Sequence, residues 1–254
     1  MLYSFPVRNK YSNQKEDFRE HGTHILGIIS RIAPKATIIP VDIEVAMSSF
    51  KSLHDYAKQN NITVVSMSIR LEETPDLCSN LIQGFTVNHI PFFKATNNEA
   101  IDYSKTEECK TIIERARTHN DLNTHLFFLG FTEYSNNLFS FLLKENMSKI
   151  SAYTSEKINY ILAPGTKITS TLPANKFGKM TGSSMATPIA AASYALLNNY
   201  YKNQLNEDHY IESKIILEAL FNSCRNIQSS EHRVVDLNKS IEYANRDLDN
   251  IANS

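Results

Sequence analysis

Short apolar runs alternate with segments of helical periodicity along most of the chain. Runs rich in β-branched and aromatic residues predict buried strands at 37–43, 62–69, 90–95, 125–131 and 157–163. Apolar positions spaced three and four residues apart predict helices at 23–31, 48–60, 76–88 and 106–117. A run at 2–7 predicts a first strand, and the polar segment 8–20 predicts a loop. Strands alternating with helices predict crossover connections and a parallel sheet, so the expected fold class is α/β.

The organisation of the chain shows no internal repeat and no linker-like change in composition. We therefore predict a single domain over residues 1–254. The segment 138–149 is amphipathic and predicts a surface helix packed by its apolar face, with a partner-binding element as the alternative.

The most distinctive stretch is Gly-Ser-Ser-Met-Ala-Thr-Pro at 182–188, which is followed by an apolar helix of small residues at 189–197. A hydroxyl on a turn at the mouth of a buried helix is how several hydrolases present a serine nucleophile, here Ser184. The helix start adds N–H groups and a positive dipole end, and Gly182 permits a close approach. Ser and Thr are also favoured at helix N-caps, which is the alternative interpretation.

Two further polar clusters carry candidate chemistry, His-Gly-Thr-His at 21–24 and Ala-Thr-Asn-Asn-Glu at 95–99. His21 opens a predicted helix and is placed to project into a cleft. The alternatives are an incidental helix start, or a metal pair with His24, for which the spacing shows no third ligand. Asn98 follows a predicted strand and can donate its amide to an oxyanion, with ordinary turn chemistry as the alternative.

Composition narrows the classes of partner. A formal net charge of −1 disfavours nucleic acid or an acidic membrane surface as the main partner. Three scattered cysteines are too few for a disulfide framework or a cysteine metal site. The chain has no pattern of a signal peptide and no run of about 18 apolar residues. The localisation is therefore left open, cytoplasmic if Met1 is the true start.

The motifs at 21–24 and 182–188, with Ala-Pro-Gly at 163–165, resemble those of the subtilisin-like serine peptidases, the subtilases. Further stretches match the family in order, so the resemblance extends from about Leu2 to Ala244. It implies a three-layer fold in which helices flank a mostly parallel sheet. It also implies a serine endopeptidase that acts on polypeptides.

The same resemblance implies roles for individual residues. Ser184 matches the nucleophile and His21 the general base. Asn98 matches the side-chain half of the oxyanion hole, and the Ser184 N–H the other half. The implied substrate-binding residues are Ser68, Ile69 and Arg70 on a strand edge, and Ala95, Thr96 and Asn97 on the facing wall of the S1 pocket. Arg70 and Asn97 stand where the family usually has glycine, which predicts altered substrate pairing.

The aspartate of the family's triad has no counterpart here, since the residues before His21 contain no Asp-Ser/Thr-Gly motif. The run 2–7 resembles the family's second strand, which implies that the central strand carrying the aspartate is missing from the N-terminus. Three explanations are open: an incomplete start, a degenerate and catalytically impaired subtilase, or a substitute carboxylate. The candidates for a substitute are Asp17 and Asp42.

The leading interpretation is a serine endopeptidase with an acyl-enzyme on Ser184. The alternative is a pseudopeptidase that binds peptides or proteins without turnover. A lipase-like interpretation is weaker, because the final glycine of the nucleophile elbow is lacking after Ser184. No cofactor or metal is expected from the residues. The resemblance implies calcium, as in many subtilases, but identifies no site, and the oligomeric state is left open.

Overall fold

The computed structural model describes residues 2–5, 15–42, 48–69, 74–96, 98, 101–118, 125–132, 152–153, 159–205, 212–226 and 233–252. Its strands are β1 (Leu2–Phe5), β2 (Ile39–Asp42), β3 (Val65–Met67), β4 (Phe92–Ala95), β5 (Ile101–Asp102), β6 (Leu126–Thr132), β7 (Ala152–Tyr153), β8 (Tyr160–Pro164), β9 (Ile168–Leu172), β10 (Lys176–Met180), β11 (Arg225–Asn226) and β12 (Arg233–Val234). Its helices are α1 (Lys15–Ile32), α2 (Phe50–Gln59), α3 (Pro75–Thr86), α4 (Glu107–Thr118), α5 (Ser183–Gln204), α6 (Ser213–Asn222) and α7 (Leu237–Ala252).

Eight strands form one sheet in the order β11-β12-β8-β6-β4-β3-β1-β2. Neighbouring strands run parallel, except that β11 is antiparallel to β12. The α/β fold class and the mostly parallel sheet flanked by helices are therefore confirmed. The predicted strands at 37–43, 62–69, 90–95, 125–131 and 157–163 all overlap strands of this sheet.

Helices cover both faces of the sheet, as a parallel sheet requires. Along β4, Phe93 packs on one face with residues of α1, α5, α6 and α7. Its neighbour Phe92 packs on the other face with residues of α2, α3 and α4. Phe127 and Phe128 divide between the two faces in the same way. Successive side chains of a strand point to opposite faces, so a continuous apolar run supplies both cores.

The first strand differs from the sequence expectation. The sequence implied that 2–7 is the family's second strand and that a central strand is missing. Instead, β1 lies inside the sheet, with Leu2 paired to Ile39 of β2 and to Val65 of β3. A gap at this place would leave backbone N–H and C=O groups of β2 and β3 unpaired, and β1 pairs with both of these strands.

The first helix also differs from the prediction. The segment 8–20 was predicted as a loop, whereas α1 already begins at Lys15. Polar residues that favour helices fill this first turn, and hydrophobic periodicity detects only the later, buried turns. Asp17 thus lies in α1, one turn before His21, and Asp42 ends β2. The predicted helix at 138–149 lies outside the described residues. None of the described helices is long and apolar enough to cross a membrane.

Candidate active site

The candidate site lies at the carboxyl edge of the sheet, where parallel α/β sheets usually bind ligands. Ser68 and Ile69 follow β3 directly, and Thr96 and Asn98 follow β4. The start of α5, which carries Ser184, meets both segments. Residues more than 80 positions apart in the sequence are thereby brought together.

Ser184 and Ser68 are joined by two reciprocal hydrogen bonds. The Ser184 hydroxyl donates to the Ser68 carbonyl at 3.1 Å, and the Ser68 hydroxyl donates to the Ser184 carbonyl at 3.0 Å. The second bond has a local cause, because Pro188 stands four residues after Ser184 and has no N–H for its carbonyl. The proline of the motif therefore frees a helix carbonyl for a partner outside the helix.

Asn98 is held at the start of α5 by Ser183. Its Oδ1 accepts from the Ser183 N–H at 2.9 Å and from the Ser183 hydroxyl at 3.1 Å. The same hydroxyl lies 3.1 Å from the Thr96 carbonyl. With Oδ1 used as the acceptor, the Nδ2 amide of Asn98 remains as a donor. The Ser184 N–H, in the first turn of the helix, has no carbonyl of the helix itself to bind. The Ser184 N–H lies at the start of α5 and Asn98 is bound to it through Ser183, and the role of these two donors in an oxyanion hole stays a prediction.

Two glycines allow this close assembly. The Gly182 N–H donates to the Gly165 carbonyl at 2.9 Å, which ties the serine segment to the end of β8. A Cβ on Gly165 would lie 2.7 Å from the Gly182 carbonyl oxygen and 2.3 Å from Phe131 Cβ. A Cβ on Gly182 would stand 3.1 Å from both polar atoms of the Asn98 amide. The Ala-Pro-Gly motif therefore fixes the position of the serine segment.

His21 is half-buried on α1, which the β9–β10 hairpin holds in place. The Thr171 hydroxyl donates to the Thr23 carbonyl at 2.9 Å, and the Ser170 hydroxyl to the His24 carbonyl at 2.6 Å. The His24 Nε2 lies 2.9 Å from the Ile168 carbonyl. Burial lowers the pKa of His24, although hydrogen bonds to backbone carbonyls oppose this shift. His24 is therefore a neutral structural residue whose Nε2 is a donor.

Not all of the predicted site residues are hydrogen-bonded to one another in the structure. Within the described part of the chain, the Ser184 hydroxyl donates to Ser68 rather than to His21. Catalytic hydrogen bonds are often long or poorly aligned in a free enzyme, so this geometry does not remove His21 from consideration. Arg70 and Asn97 lie outside the described residues. Ala95 ends β4 with its side chain buried, and its carbonyl accepts a hydrogen bond from Lys94.

Metal ligation has no support among the described residues, where no three His, Cys, Asp or Glu groups converge. Of the two ring nitrogens of His24, Nε2 faces backbone carbonyls and therefore acts as a donor rather than as a metal ligand.

The sequence did not reveal the role of Ser183, which holds Asn98, or of Pro188, which frees the Ser184 carbonyl. Two adjacent serines at a helix start could have indicated that one of them binds the neighbouring strand end. Lys94 is a lone charged residue inside the apolar run 90–95, which could have indicated a buried charge with a specific partner.

The fold and the site define a class of protein, namely an α/β protein with a serine at a helix start beyond its parallel strands. The chain belongs to the subtilase family, Peptidase_S8, whose family profile matches residues 5–235.

The two relatives described here are proteases by name. It is 25% identical to "Subtilisin-like protease 1" of Plasmodium falciparum over 96% of this chain and 37% of that protein. It is 26% identical to "Major intracellular serine protease" of Bacillus subtilis over 72% of this chain and 56% of that protein. The chain therefore spans between about a third and somewhat over half of these relatives.

Solved structures share the fold at low identity. The prenylagaramide maturation protease PagA superposes with a TM-score of 0.64 at 16% identity, covering 96% of this chain and 92% of that one. The PatG macrocyclase in complex with peptide gives a TM-score of 0.62 at 13% identity, covering 93% of this chain and 71% of that one. At this identity the likeness concerns the fold alone.

Proposed function

We propose that this chain is a serine endopeptidase domain that cleaves peptide bonds through an acyl-enzyme on Ser184. The observation that carries the proposal is the assembly at the start of α5. There the Ser184 hydroxyl, the Ser184 N–H and an Asn98 amide fixed by Ser183 come together. Membership of the subtilase family supports the same reaction.

The proposed reaction uses three groups. His21 takes the proton of the Ser184 hydroxyl, and Ser184 Oγ attacks the carbonyl carbon of the scissile bond. The Asn98 Nδ2 and the Ser184 N–H donate to the oxygen that becomes negative. The protonated His21 then gives its proton to the leaving amine, and water releases the acid from Ser184 by the reverse sequence. For this reaction, Ser184 must exchange its hydrogen bond with Ser68 for one with His21.

The proposed substrate lies between the segments that follow β3 and β4. Ser68 and Ile69 supply the strand edge beside which a peptide would pair, and Ala95 and Thr96 supply the facing wall. Arg70 and Asn97 belong to these two segments by sequence. In place of the family's glycines they would narrow the approach of a substrate backbone.

A second candidate function is peptide binding without turnover. The observation that favours it is the direction of the Ser184 hydroxyl, which donates to Ser68. A chain that kept only the cleft would bind peptides and release them intact.

Labelling of the folded protein with a fluorophosphonate distinguishes the two functions. This reagent reacts with serines that are activated as nucleophiles, so peptide mapping should place the adduct on Ser184. Labelling should disappear in Ser184→Ala and in urea-unfolded protein, and it should persist in Ser183→Ala. An unmodified Ser184 in folded protein would refute the endopeptidase, and retained peptide binding would then support the second function.

The role of Asn98 can be separated from simple capping of α5. Asp caps helices as well as Asn does and keeps an oxygen for Ser183, but it lacks the Nδ2 donor. Asn98→Asp should therefore lower kcat by about 10²–10³ with the melting temperature little changed. Steady-state kinetics on a fluorogenic peptide measure this. Unchanged kcat in Asn98→Asp would leave Asn98 as a cap only.

A further inference from the structure

A fully buried ion pair lies directly behind the candidate cleft. Lys94 of β4 and Glu108 of α4 approach to 3.0 Å between Nζ and Oε1, and both side chains are 0% exposed. The other carboxylate oxygen of Glu108 accepts from the Tyr103 hydroxyl at 2.7 Å. Lys94 lies on the same face of the sheet as Phe92, since side chains alternate along a strand.

The remaining contacts of Lys94 are backbone carbonyls at the cleft. Its Nζ donates to the Ile69 carbonyl at 3.2 Å and to the Ala95 carbonyl at 3.1 Å. An ammonium group has three donors, and Glu108, Ile69 and Ala95 use all of them. Ile69 and Ala95 belong to the two opposite walls of the proposed substrate cleft. A single cation thus connects both walls.

The backbone at Ser68–Ile69 is held from two directions. Successive carbonyls of an extended segment point to opposite sides, and here each has its own partner. The Ser68 carbonyl accepts from the Ser184 hydroxyl, and the Ile69 carbonyl accepts from Lys94. The orientation of this segment beside the nucleophile therefore depends on Lys94 as well as on α5.

Burial by itself would lower the pKa of Lys94, but the Glu108 carboxylate raises it above its usual value. The ammonium form is therefore retained. A buried ion pair is often no more stabilising than apolar residues of the same volume. A contribution to the stability of the fold therefore does not explain why this ion pair is present. The two hydrogen bonds from Lys94 to backbone carbonyls give the pair a specific role.

We propose that Lys94, anchored by Glu108, is a positioning residue that fixes the Ser68–Ile69 segment and the end of β4 for pairing with a peptide substrate. This inference rests on the proposed endopeptidase function and adds the residue that sets the geometry of its substrate cleft. Lys94 acts through the backbone and does not touch the reacting atoms.

The test replaces the buried network by apolar residues of similar volume. Lys94→Met/Tyr103→Phe/Glu108→Leu removes both charges and the Tyr103 hydroxyl together, so the urea midpoint should fall less than in a variant that removes one charge alone. The matched control is Glu107→Gln/Lys110→Met, which removes an exposed ion pair from the same helix.

Three measurements give the outcome. KM for a fluorogenic peptide, chosen from a random library as a wild-type substrate, should rise about tenfold or more in the triple variant, as expected for weakened hydrogen bonding to the substrate. Fluorophosphonate labelling of Ser184 should change far less, because this small reagent does not pair with the strand edge. Hydrogen exchange should quicken in peptides covering 62–69 and remain unchanged in the control.

An unchanged KM together with unchanged exchange at 62–69 would overturn the positioning role. Where the triple variant does not fold, Lys94→Met/Glu108→Gln removes both charges and keeps an amide that can bind the Tyr103 hydroxyl. The same two readouts apply to it. If the wild type neither labels nor cleaves, the proposed function fails. The exchange comparison then still decides whether Lys94 fixes the segment.

Discussion

Replacement of Ser184 by alanine is expected to lower kcat for peptide cleavage by about 10²–10⁶ while the protein stays folded, and to leave only the catalysis that the oxyanion hole and substrate binding supply. The side chain is only partly buried and its hydroxyl makes one hydrogen bond, to the Ser68 carbonyl, so its loss should cost little stability. The reaction, in contrast, loses the atom that forms the acyl-enzyme. The measurement is kcat for the fluorogenic peptide, with the melting temperature recorded on the same samples.

The size of this loss also reports on the third member of the triad. In subtilisin, loss of the nucleophile lowers kcat by roughly 10⁶, whereas loss of the aspartate lowers it by roughly 10⁴. A chain in which a carboxylate supports His21 should therefore lose about 10⁶ on Ser184→Ala, and a chain without one only about 10². Equal kcat in wild type and Ser184→Ala would exclude the acyl-enzyme altogether.

The control for Ser184 is its neighbour. Ser183→Ala removes a hydroxyl bonded to Thr96 and Asn98 but leaves the nucleophile. We expect a much smaller loss of kcat, because the Ser183 N–H still holds the Asn98 Oδ1. If both alanine variants lost the same activity, the loss would reflect damage to the helix start rather than removal of a nucleophile.

Replacement of His21 by alanine is expected to lower kcat by the same factor as Ser184→Ala. The two residues act as one unit, so the double variant His21→Ala/Ser184→Ala should be no slower than either single variant. The hairpin bonds that hold α1 involve Thr23 and His24 and remain in place. Additive losses in the double variant would contradict a shared role for His21 and Ser184.

The two candidate carboxylates can be compared in the same assay. Asp17 lies one turn before His21 on α1, and Asp42 ends β2 at the carboxyl edge of the sheet. Loss of a carboxylate that supports His21 should lower kcat by roughly 10⁴ and leave KM unchanged. Asp17→Asn and Asp42→Asn are each the control for the other. If neither affects kcat, the substitute carboxylate is refuted.

The residues of the site that the sequence revealed are those with local signals. Ser184 stands in a seven-residue motif, and Asn98 follows an apolar strand at the point where parallel sheets carry sites. His21 was found by its motif, although the start of its helix was placed too late. The start of α1 is mostly polar in sequence, and hydrophobic periodicity cannot detect a turn that contains few apolar residues.

The contacts between these residues had no local signal. Ser183 binds an amide 85 positions away, and Ser68 binds a hydroxyl 116 positions away. The partners meet only because crossover connections bring the ends of β3 and β4 to the start of α5. The prediction that a central strand is missing was wrong for a related reason. The order of motifs along the chain does not determine which strands pair, because pairing depends on which strands offer free edges.

The sequence by itself determined the alternation of strands and helices, the α/β class and the identity of the candidate nucleophile. Those features follow from side-chain periodicity and short motifs, which act over a few residues. Only the tertiary structure decided that β1 fills the interior of the sheet, that Ser183 orients Asn98 and that Lys94 connects the Ile69 and Ala95 carbonyls. Each of these depends on backbone groups that must find partners when buried, and the partner is chosen by the packing of distant segments.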